Sequence, residues 1–184
     1  SKGESLPEYA LHADFNGLSV RPYAKYSLPG FSNLTGKIEV NQNQGRLILD
    51  SKLATLNFSP VLRWAIPAEK LTGQIDWKIK NKNLAVEVSS LAIKSEHFTG
   101  EVDASYTSDG AQKHYLDLTG HATNVDLKYG RFYYPNTISK DTVAWLDKSI
   151  MSGHGEDVNV RLKGDLKDYP FADGKKGTFK VTAD

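Results

Sequence analysis

Cysteine is missing from the 184-residue sequence, and long apolar runs are missing as well. The first absence excludes a disulfide scaffold, a cysteine-ligated zinc site and a thiol nucleophile. The second excludes a membrane-spanning helix, which needs about 18 consecutive apolar residues. The formal net charge is only +1, so no strong field exists to attract nucleic acid or an anionic membrane. Because the chain begins without Met and stops within an alternating segment, we interpret it as a piece of a longer protein.

Motifs for catalysis and metal binding are also lacking. No two histidines show the spacing that would direct both rings at one metal ion. Glu101 and Asp103 share a strand face and are in principle suited to acid–base work on a sugar, but solvated charge is the simpler explanation for carboxylates on the polar side of a strand. No nucleophile elbow, phosphate loop or dinucleotide fingerprint occurs. The sequence therefore predicts a protein that is not an enzyme, with no catalytic residue, metal or cofactor.

Strict alternation of apolar and polar residues is the main signal, and it recurs from Gly36 to the C-terminus. Ile75, Trp77 and Ile79, for example, alternate with charged neighbours. Such segments predict half-buried antiparallel strands with one apolar face. Turn-forming residues separate them, at 41–45, 81–83, 108–110 and 173–177, which favours hairpins and a meander.

Two further patterns concern the strand starts and the connections. A step of apolar residue, Thr and Gly recurs at Gly36, Gly73, Gly100 and Gly120, where a glycine can mark a bend or bulge. One short helix is predicted at about residues 140–151, capped by Ser139 or Asp141 and stopped by Gly153. The stretch 57–67 interrupts the strands, and we expect its Trp64 ring to pack on the sheet. No linker divides residues 1–184, which are expected to form one unit.

The apolar face needs a cover, and one short helix is too small to provide it. Either the sheet closes into a dry sandwich or barrel, or it curls into a trough whose lining meets a hydrophobic ligand. Patterns alone favour the closed core, because ordinary β domains are far commoner.

A set of longer motifs carries a family resemblance. They lie at 17–23 (GLSVRPY), 28–39 (LPGFSNLTGKIE), 45–51 (GRLILDS), 115–118 (YLDL), 133–135 (YYP), 143–147 (VAWLD), 164–166 (GDL) and 169–171 (YPF). In this order, over residues 17–184, they resemble an internal fragment of the AsmA-like family of periplasmic, bridge-like phospholipid-transport proteins. Residues 1–8 lie outside the resemblance and are interpreted as added sequence.

The resemblance implies a mostly β fold: a curved antiparallel sheet forming an open, taco-like groove, with one short α-helix. It implies a periplasmic region of a protein that is anchored in the bacterial inner membrane, carries phospholipid between inner and outer membranes and supports outer-membrane integrity. The implied partners are phospholipid acyl chains and adjoining groove segments of the same chain. No nucleic acid is expected, and membrane contact is expected only through parts absent here.

A transport groove calls for a uniform apolar lining, since each CH₂ exposed to water costs about 0.8 kcal/mol. The alternative remains a structural or protein-interaction β domain with a dry closed core, whose loops or helix at 143–151 dock a partner. On the groove interpretation, the predicted lining consists of the apolar members of the alternating strands. They are Ile38, Val40, Leu47, Leu49, Ile75, Trp77, Ile79, Leu84, Val86, Val88, Val102, Ala104, Leu116, Leu118, Val158, Val160 and Leu162.

Overall fold

The computed structural model describes residues 8–23, 29–59, 62–110, 113–134, 136, 138–169, 171 and 174–183. The strands are β1 (Ala10–Val20), β2 (Gly30–Asn41), β3 (Gln44–Asn57), β4 (Ile66–Lys80), β5 (Asn83–Lys94), β6 (Thr99–Ser108), β7 (His114–Thr123), β8 (Val125–Asp126), β9 (His154–Gly155), β10 (Val158–Asp165) and β11 (Gly177–Ala183). The helical elements are the α-helix α1 (Lys140–Ser149) and two 3₁₀ segments, Leu127–Tyr133 and Leu166–Asp168.

Nine of these strands form one antiparallel sheet in the order β1-β2-β3-β4-β5-β6-β7-β10-β11. The short β8–β9 ribbon lies in the connection between β7 and β10. Since β1 and β11 are the two edges, the sheet does not close. The prediction of a mostly β, antiparallel meander is confirmed, and the closed sandwich or barrel that patterns alone favoured is wrong.

The strand register aligns apolar side chains across the whole sheet. Directly paired residues of antiparallel strands lie on the same face. One transverse row therefore contains Ala13, Ile38, Leu47, Ile75, Val88, Ala104, Leu118, Leu162 and Phe179, one residue from each strand. The row crosses all the strands without a charged member, so the apolar face is continuous from edge to edge.

The opposite face is polar and carries ion pairs between neighbouring strands. Arg46 on β3 contacts Asp76 on β4, with Nε to Oδ1 at 2.7 Å. On the other half of the sheet, Asp117 of β7 accepts hydrogen bonds from Arg161 and Lys163 of β10, and these donors lower the Asp117 pKa to about 2. Solvated pairs of this kind contribute little stability each, but they mark this face as the one exposed to water.

Bulges keep the apolar face intact where the two-residue alternation breaks. Asn33 of β2, Leu53 of β3 and Ser90 of β5 have φ of 57°, 54° and 48°. Each adds one residue, so the side chains beyond it return to the same face: Leu53 is 75% exposed while Ala54 behind it is buried. The side chain of Asn33 supports the Leu53 bulge, because its Nδ2 donates to the Lys52 and Leu53 carbonyls, at 3.0 and 3.3 Å. Because a bulge bends its strand, the bulges bend this half of the sheet.

The expectation that the Thr-Gly steps mark bends is confirmed for only part of the set. The β2–β3 pairing is irregular just before Gly36, and the β4–β5 pairing is irregular around Gly73. Gly100 and Gly120 pair regularly with both neighbouring strands. These two glycines therefore serve another purpose, which concerns the space above the sheet.

The hydrophobic core cluster lies at the end of the sheet where the β3–β4 connection lies. The buried cluster consists of Leu34, Leu49, Ala54, Leu56, Ile66, Ala68 and Leu71. Phe31 and Phe58 extend it, with ring centroids 6.3 Å apart. The prediction for Trp64 is wrong: its ring is 57% exposed and lies against Phe132, at 6.1 Å, rather than on the sheet. Phe58 fills that space instead.

The connection between β7 and β10 holds the predicted helix and one element that alternation does not predict. Ser139 caps α1 by accepting a hydrogen bond from the Thr142 amide at 3.2 Å. The helix ends at Ser149, two residues before the expected Met151. The 3₁₀ segment at Leu127–Tyr133 begins after Asp126, whose side chain accepts from the Lys128 amide. Within the described ranges, no helix is long and apolar enough to cross a membrane.

Candidate functional site

The predicted lining residues lie together on the apolar face of the sheet. All but two are half-buried. Leu49 is buried in the core cluster, and Ile79, beside the β4–β5 hairpin, is 45% exposed. Half-burial follows from packing on lateral neighbours in the sheet, so these side chains touch one another and remain partly open to solvent. In the part of the chain that the structure describes, the second sheet is the two-stranded β8–β9 ribbon, which reaches this face at Val125 and is too small to cover nine strands.

A trough lies on the apolar face over β6, β7, β10 and β11. It has a volume of about 470 Å³ and is lined almost entirely by carbon atoms. Val102, Leu118, Val158 and Val160 are the predicted residues that it brings together. The other predicted residues lie on the same face outside the trough. Its volume falls within the roughly 300–1,000 Å³ of small-molecule pockets.

Two glycines of the sheet, Gly100 and Gly120, are among the residues of this trough. A Cβ placed on Gly120 would lie 3.6 Å from Val102 Cγ2 and 3.8 Å from Val160 Cβ, which are ordinary contact distances. A Cβ at Gly120 is therefore accommodated without displacing a neighbour. Gly100 differs, because a Cβ there would lie 2.7 Å from the Phe98 ring. The Phe98 ring therefore occupies the space over Gly100, whereas a Cβ on Gly120 would meet only ordinary contacts.

Tyr133 forms the wall of the trough at the side where the core cluster lies. It belongs to the 3₁₀ segment 127–133 and packs against the core cluster. Its ring meets the Phe98 ring edge-on at 5.6 Å, and its hydroxyl lies 2.8 Å from His97 Nδ1. The backbone carbonyl of His97 also accepts from the Asp126 amide at 2.9 Å. The 3₁₀ segment is thus attached to the β5–β6 connection by both backbone and side-chain contacts.

His97 is enclosed by the aromatic side chains of the same segment. Its side chain is only 2% exposed, and its ring stacks on Tyr129 at 4.0 Å. Burial lowers the His97 pKa, although the Glu96 charge opposes the shift. Burial likewise raises the Tyr133 pKa. Both groups are neutral near pH 7, so the wall places no charge beside the trough.

Of the two carboxylates considered for acid–base work, Asp103 has a structural contact. Asp103 accepts a hydrogen bond from the Ser90 amide at 2.8 Å and so supports the β5 bulge. Among the described residues, no group of three or more His, Asp or Glu side chains is placed to hold a metal ion. What the geometry offers chemically is an uncharged apolar surface.

Several trough residues were not predicted. Phe179 and Val181 of β11 line its far side, and Gly120 and Tyr133 are also among its lining residues. Phe179 and Val181 alternate with Thr178 and Lys180, so the sequence pattern could have placed both on the apolar face. Gly120 follows Leu118 by two residues and so lies on the same face, but a glycine does not register as apolar. No periodic signal marks Tyr133.

Comparison with known proteins identifies the family. The family described as YhdP protein matches residues 1–184. The chain is 24% identical over 157 residues to the intermembrane phospholipid transporter YhdP of Escherichia coli (strain K12). That match covers 84% of this chain and 12% of the relative, so the chain corresponds to a small part of the relative's length. No solved structure matches the chain at a significant level.

Proposed function

Because this chain belongs to the YhdP family, we propose that it is a non-enzymatic segment of an intermembrane phospholipid transporter, and that acyl chains move across its apolar face. The observation that carries the proposal is the apolar row across all nine sheet strands, left open to solvent in the described chain. An ordinary β domain buries such a face against a second layer. Here a mobile hydrophobic ligand takes that place.

The energetics favour passage over storage. A chain of about 16 carbons exposed to water costs on the order of 10 kcal/mol at roughly 0.8 kcal/mol per CH₂. A continuous apolar surface removes much of that cost wherever the chain lies. Since the lining has no convergent charged group, no single position holds a lipid tightly. Together these properties lower the barrier to movement without creating a trap.

The register suggests the direction of the path. Apolar rows run across the strands, from the β1 edge to the β11 edge. On this proposal the path crosses the strands, and bends at the bulges would supply the curvature of a groove. Adjoining segments of the same chain would extend the rows at both edges. In this arrangement the segment lies in the periplasm between the two membranes.

The trough offers a direct test. Gly120→Val places its Cβ at ordinary contact distance from Val102 and Val160 and adds two methyl groups to the trough, and valine suits a strand. Thr119→Val is the matched control, because Thr119 is the adjacent residue and points to the polar face, between Asp103 and Arg161. The measurement is recovery of phospholipid, by mass spectrometry, from the natural chain that carries this sequence, together with transport in cells.

We expect Gly120→Val to lower bound lipid and transport about tenfold or more, and Thr119→Val to leave both unchanged. Equal lipid recovery from the two variants, with both folded, would show that acyl chains do not use the trough. A trough that is dry in the unmodified protein would favour the interaction domain instead.

A further inference from the structure

A second cavity lies on the other side of the 3₁₀ segment 127–133. Its volume is about 410 Å³, and it is lined by Arg63, Trp64, Arg131, Phe132, Tyr134, Val143 and Asp147. We propose that this cleft binds the zwitterionic phosphodiester headgroup of an amine-bearing phospholipid. Arg63 and Arg131 would contact the phosphate, and Asp147 would contact the ammonium group. The biological meaning of the site rests on the proposed function, but its ligand chemistry is independent of the trough.

The cleft is assembled from two segments that are distant in sequence. The β3–β4 connection supplies Arg63 and Trp64, and the β7–β10 connection supplies the other residues. Asn136 Nδ2 donates to the Ser59 carbonyl at 2.9 Å and joins the two segments. The rings of Trp64 and Phe132 lie 6.1 Å apart across the junction. These contacts place the two arginines at one cavity.

The arginines of the cleft differ from those of the sheet. Arg46 and Arg161, on the polar face, each pair with an aspartate. Within the described residues, neither Arg63 nor Arg131 forms an ion pair with a carboxylate. Arg63 donates to the Ile138 carbonyl at 3.4 Å, and the Arg131 guanidinium lies 5.8 Å from the Phe132 ring centroid. Both keep most of their donors available, and guanidinium donors suit phosphate oxygens.

The remaining lining matches the cationic half of the headgroup. Asp147 is the carboxylate of the cleft, and its charge adds to burial in raising the Tyr134 pKa. An ammonium group can pair with Asp147 and lie over the Trp64 or Phe132 ring, as in other cation–π contacts. A purely anionic ligand would instead bring its negative charge close to Asp147. The cleft therefore favours a ligand with both charges over an anion alone.

One segment separates the headgroup cleft from the acyl-chain trough. Gly130 and Tyr133 line the trough, and the neighbouring Arg131 and Phe132 line the cleft. The 3₁₀ segment thus presents an apolar surface to the sheet and a basic, aromatic surface on its other side. Headgroups held in the cleft would lie close to the apolar path without entering it.

The test uses soluble headgroups that have no acyl chain. Glycerophosphoethanolamine, glycerophosphoglycerol and inorganic phosphate are titrated into the natural chain, and the arginine Nε–H and Trp64 indole NMR signals are followed. We expect glycerophosphoethanolamine to bind with a dissociation constant of about 1 mM, the range for weak small ligands, and more tightly than the other two probes. Arg131→Gln should weaken its binding at least tenfold. Arg21→Gln removes the same charge from a described arginine outside the cleft and should have no effect.

Asp147→Asn separates the two halves of the proposal. It should abolish the preference for glycerophosphoethanolamine over glycerophosphoglycerol while phosphodiester binding remains. If all three probes bind equally to the unmodified protein, the cleft is a general anion site and the zwitterion assignment is wrong. If none of the NMR signals of Arg63, Arg131 and Trp64 shifts with any probe, the cleft does not bind headgroups and the proposal is wrong. Gly120→Val should leave headgroup binding intact, so failure of the trough and failure of the cleft give different results.

Discussion

At the scale of single residues, His97 connects the sheet to the wall of the trough. Its buried ring contacts Tyr129 and Tyr133, and burial lowers its pKa. The neutral imidazole is therefore the form compatible with the folded protein. The unfolded chain, with a histidine pKa of about 6.5, binds the proton more readily. The contribution of His97 to the free energy of unfolding is therefore complete above about pH 6.5 and decreases as the pH falls below it.

Replacing His97 tests two effects on stability, the loss of its hydrogen bond to Tyr133 and the loss of its protonation at low pH. We expect His97→Phe to lower the free energy of unfolding by about 1–3 kcal/mol at pH 7.5, because the half-buried Tyr133 hydroxyl loses its partner. The further loss on going to pH 5 should be smaller than in the unmodified protein, because the titrating ring is gone. Urea unfolding at the two pH values measures both effects.

Tyr133→Phe is the control for this comparison. It removes the same hydrogen bond and keeps the imidazole, so it should lose stability at pH 7.5 and retain the pH dependence. The idea that His97 titration weakens the wall fails if His97→Phe and the unmodified protein respond to acid alike.

At the scale of elements, the bulge at Leu53 shows what keeps the strands amphipathic. Leucine is poorly suited to positive φ, at a cost of roughly 1–2 kcal/mol, and asparagine tolerates that region. Since Leu53 is 75% exposed, Leu53→Asn removes strain and loses little burial. We expect the free energy of unfolding to rise by about 0.5–1 kcal/mol in urea unfolding.

Ile48→Asn is the matched variant, on the polar face of the same strand. Ile48 is also exposed and apolar, but it does not have a positive φ. Its replacement should bring no gain and, through lower strand propensity, a loss of up to about 1 kcal/mol. If Leu53→Asn destabilises the protein as much as Ile48→Asn does, the leucine is not strained at the bulge.

The same bulges explain how much of the fold the sequence could reveal. Alternation correctly predicts β4, β5, β6 and β10, because one face of each strand is wet and the other apolar. It does not reveal where a bulge adds a residue, as between Val88 and Leu91. Both of these residues lie on the apolar face, but they are three positions apart in sequence, so the two-residue alternation is broken there. It also does not predict the 3₁₀ segment 127–133, whose position depends on tertiary contacts with His97 and the core cluster.

At the scale of the whole molecule, the sequence predicts which residues lie on the apolar face better than it predicts the trough and the cleft. Strand parity alone assigns Ile38, Val86 or Val160 to the apolar face. The trough and the cleft require the β7–β10 connection to lie over that face, which no local pattern encodes. Whether the sheet closes is also a global property: the patterns allow both outcomes, and the open edges at β1 and β11 decide it.

The open face predicts how a charge on the path will act. Val86 lies in the apolar row between Trp77 and Tyr106, and Ala85 lies on the polar face between Lys78 and Thr107. Val86→Asp places a hydrated carboxylate on the proposed path. Each passing acyl chain must then displace water from that carboxylate, and this desolvation costs roughly 2 kcal/mol or more. Transport should then slow about 30-fold, while Ala85→Asp leaves it unchanged. Transport is measured in cells with the natural chain, and circular dichroism of the purified variants reports folding.

Val86→Thr covers the case in which the aspartate disturbs folding, because threonine has the shape of valine with one methyl group replaced by a hydroxyl. Its effect on transport should be in the same direction and smaller, since a hydroxyl holds water less strongly than a carboxylate. A graded series of Val, Thr and Asp at residue 86, set against a flat response at residue 85, is the pattern expected of a path on one face of the sheet. Folded Val86→Asp protein that transports at the normal rate would mean that lipid does not cross the sheet at this row.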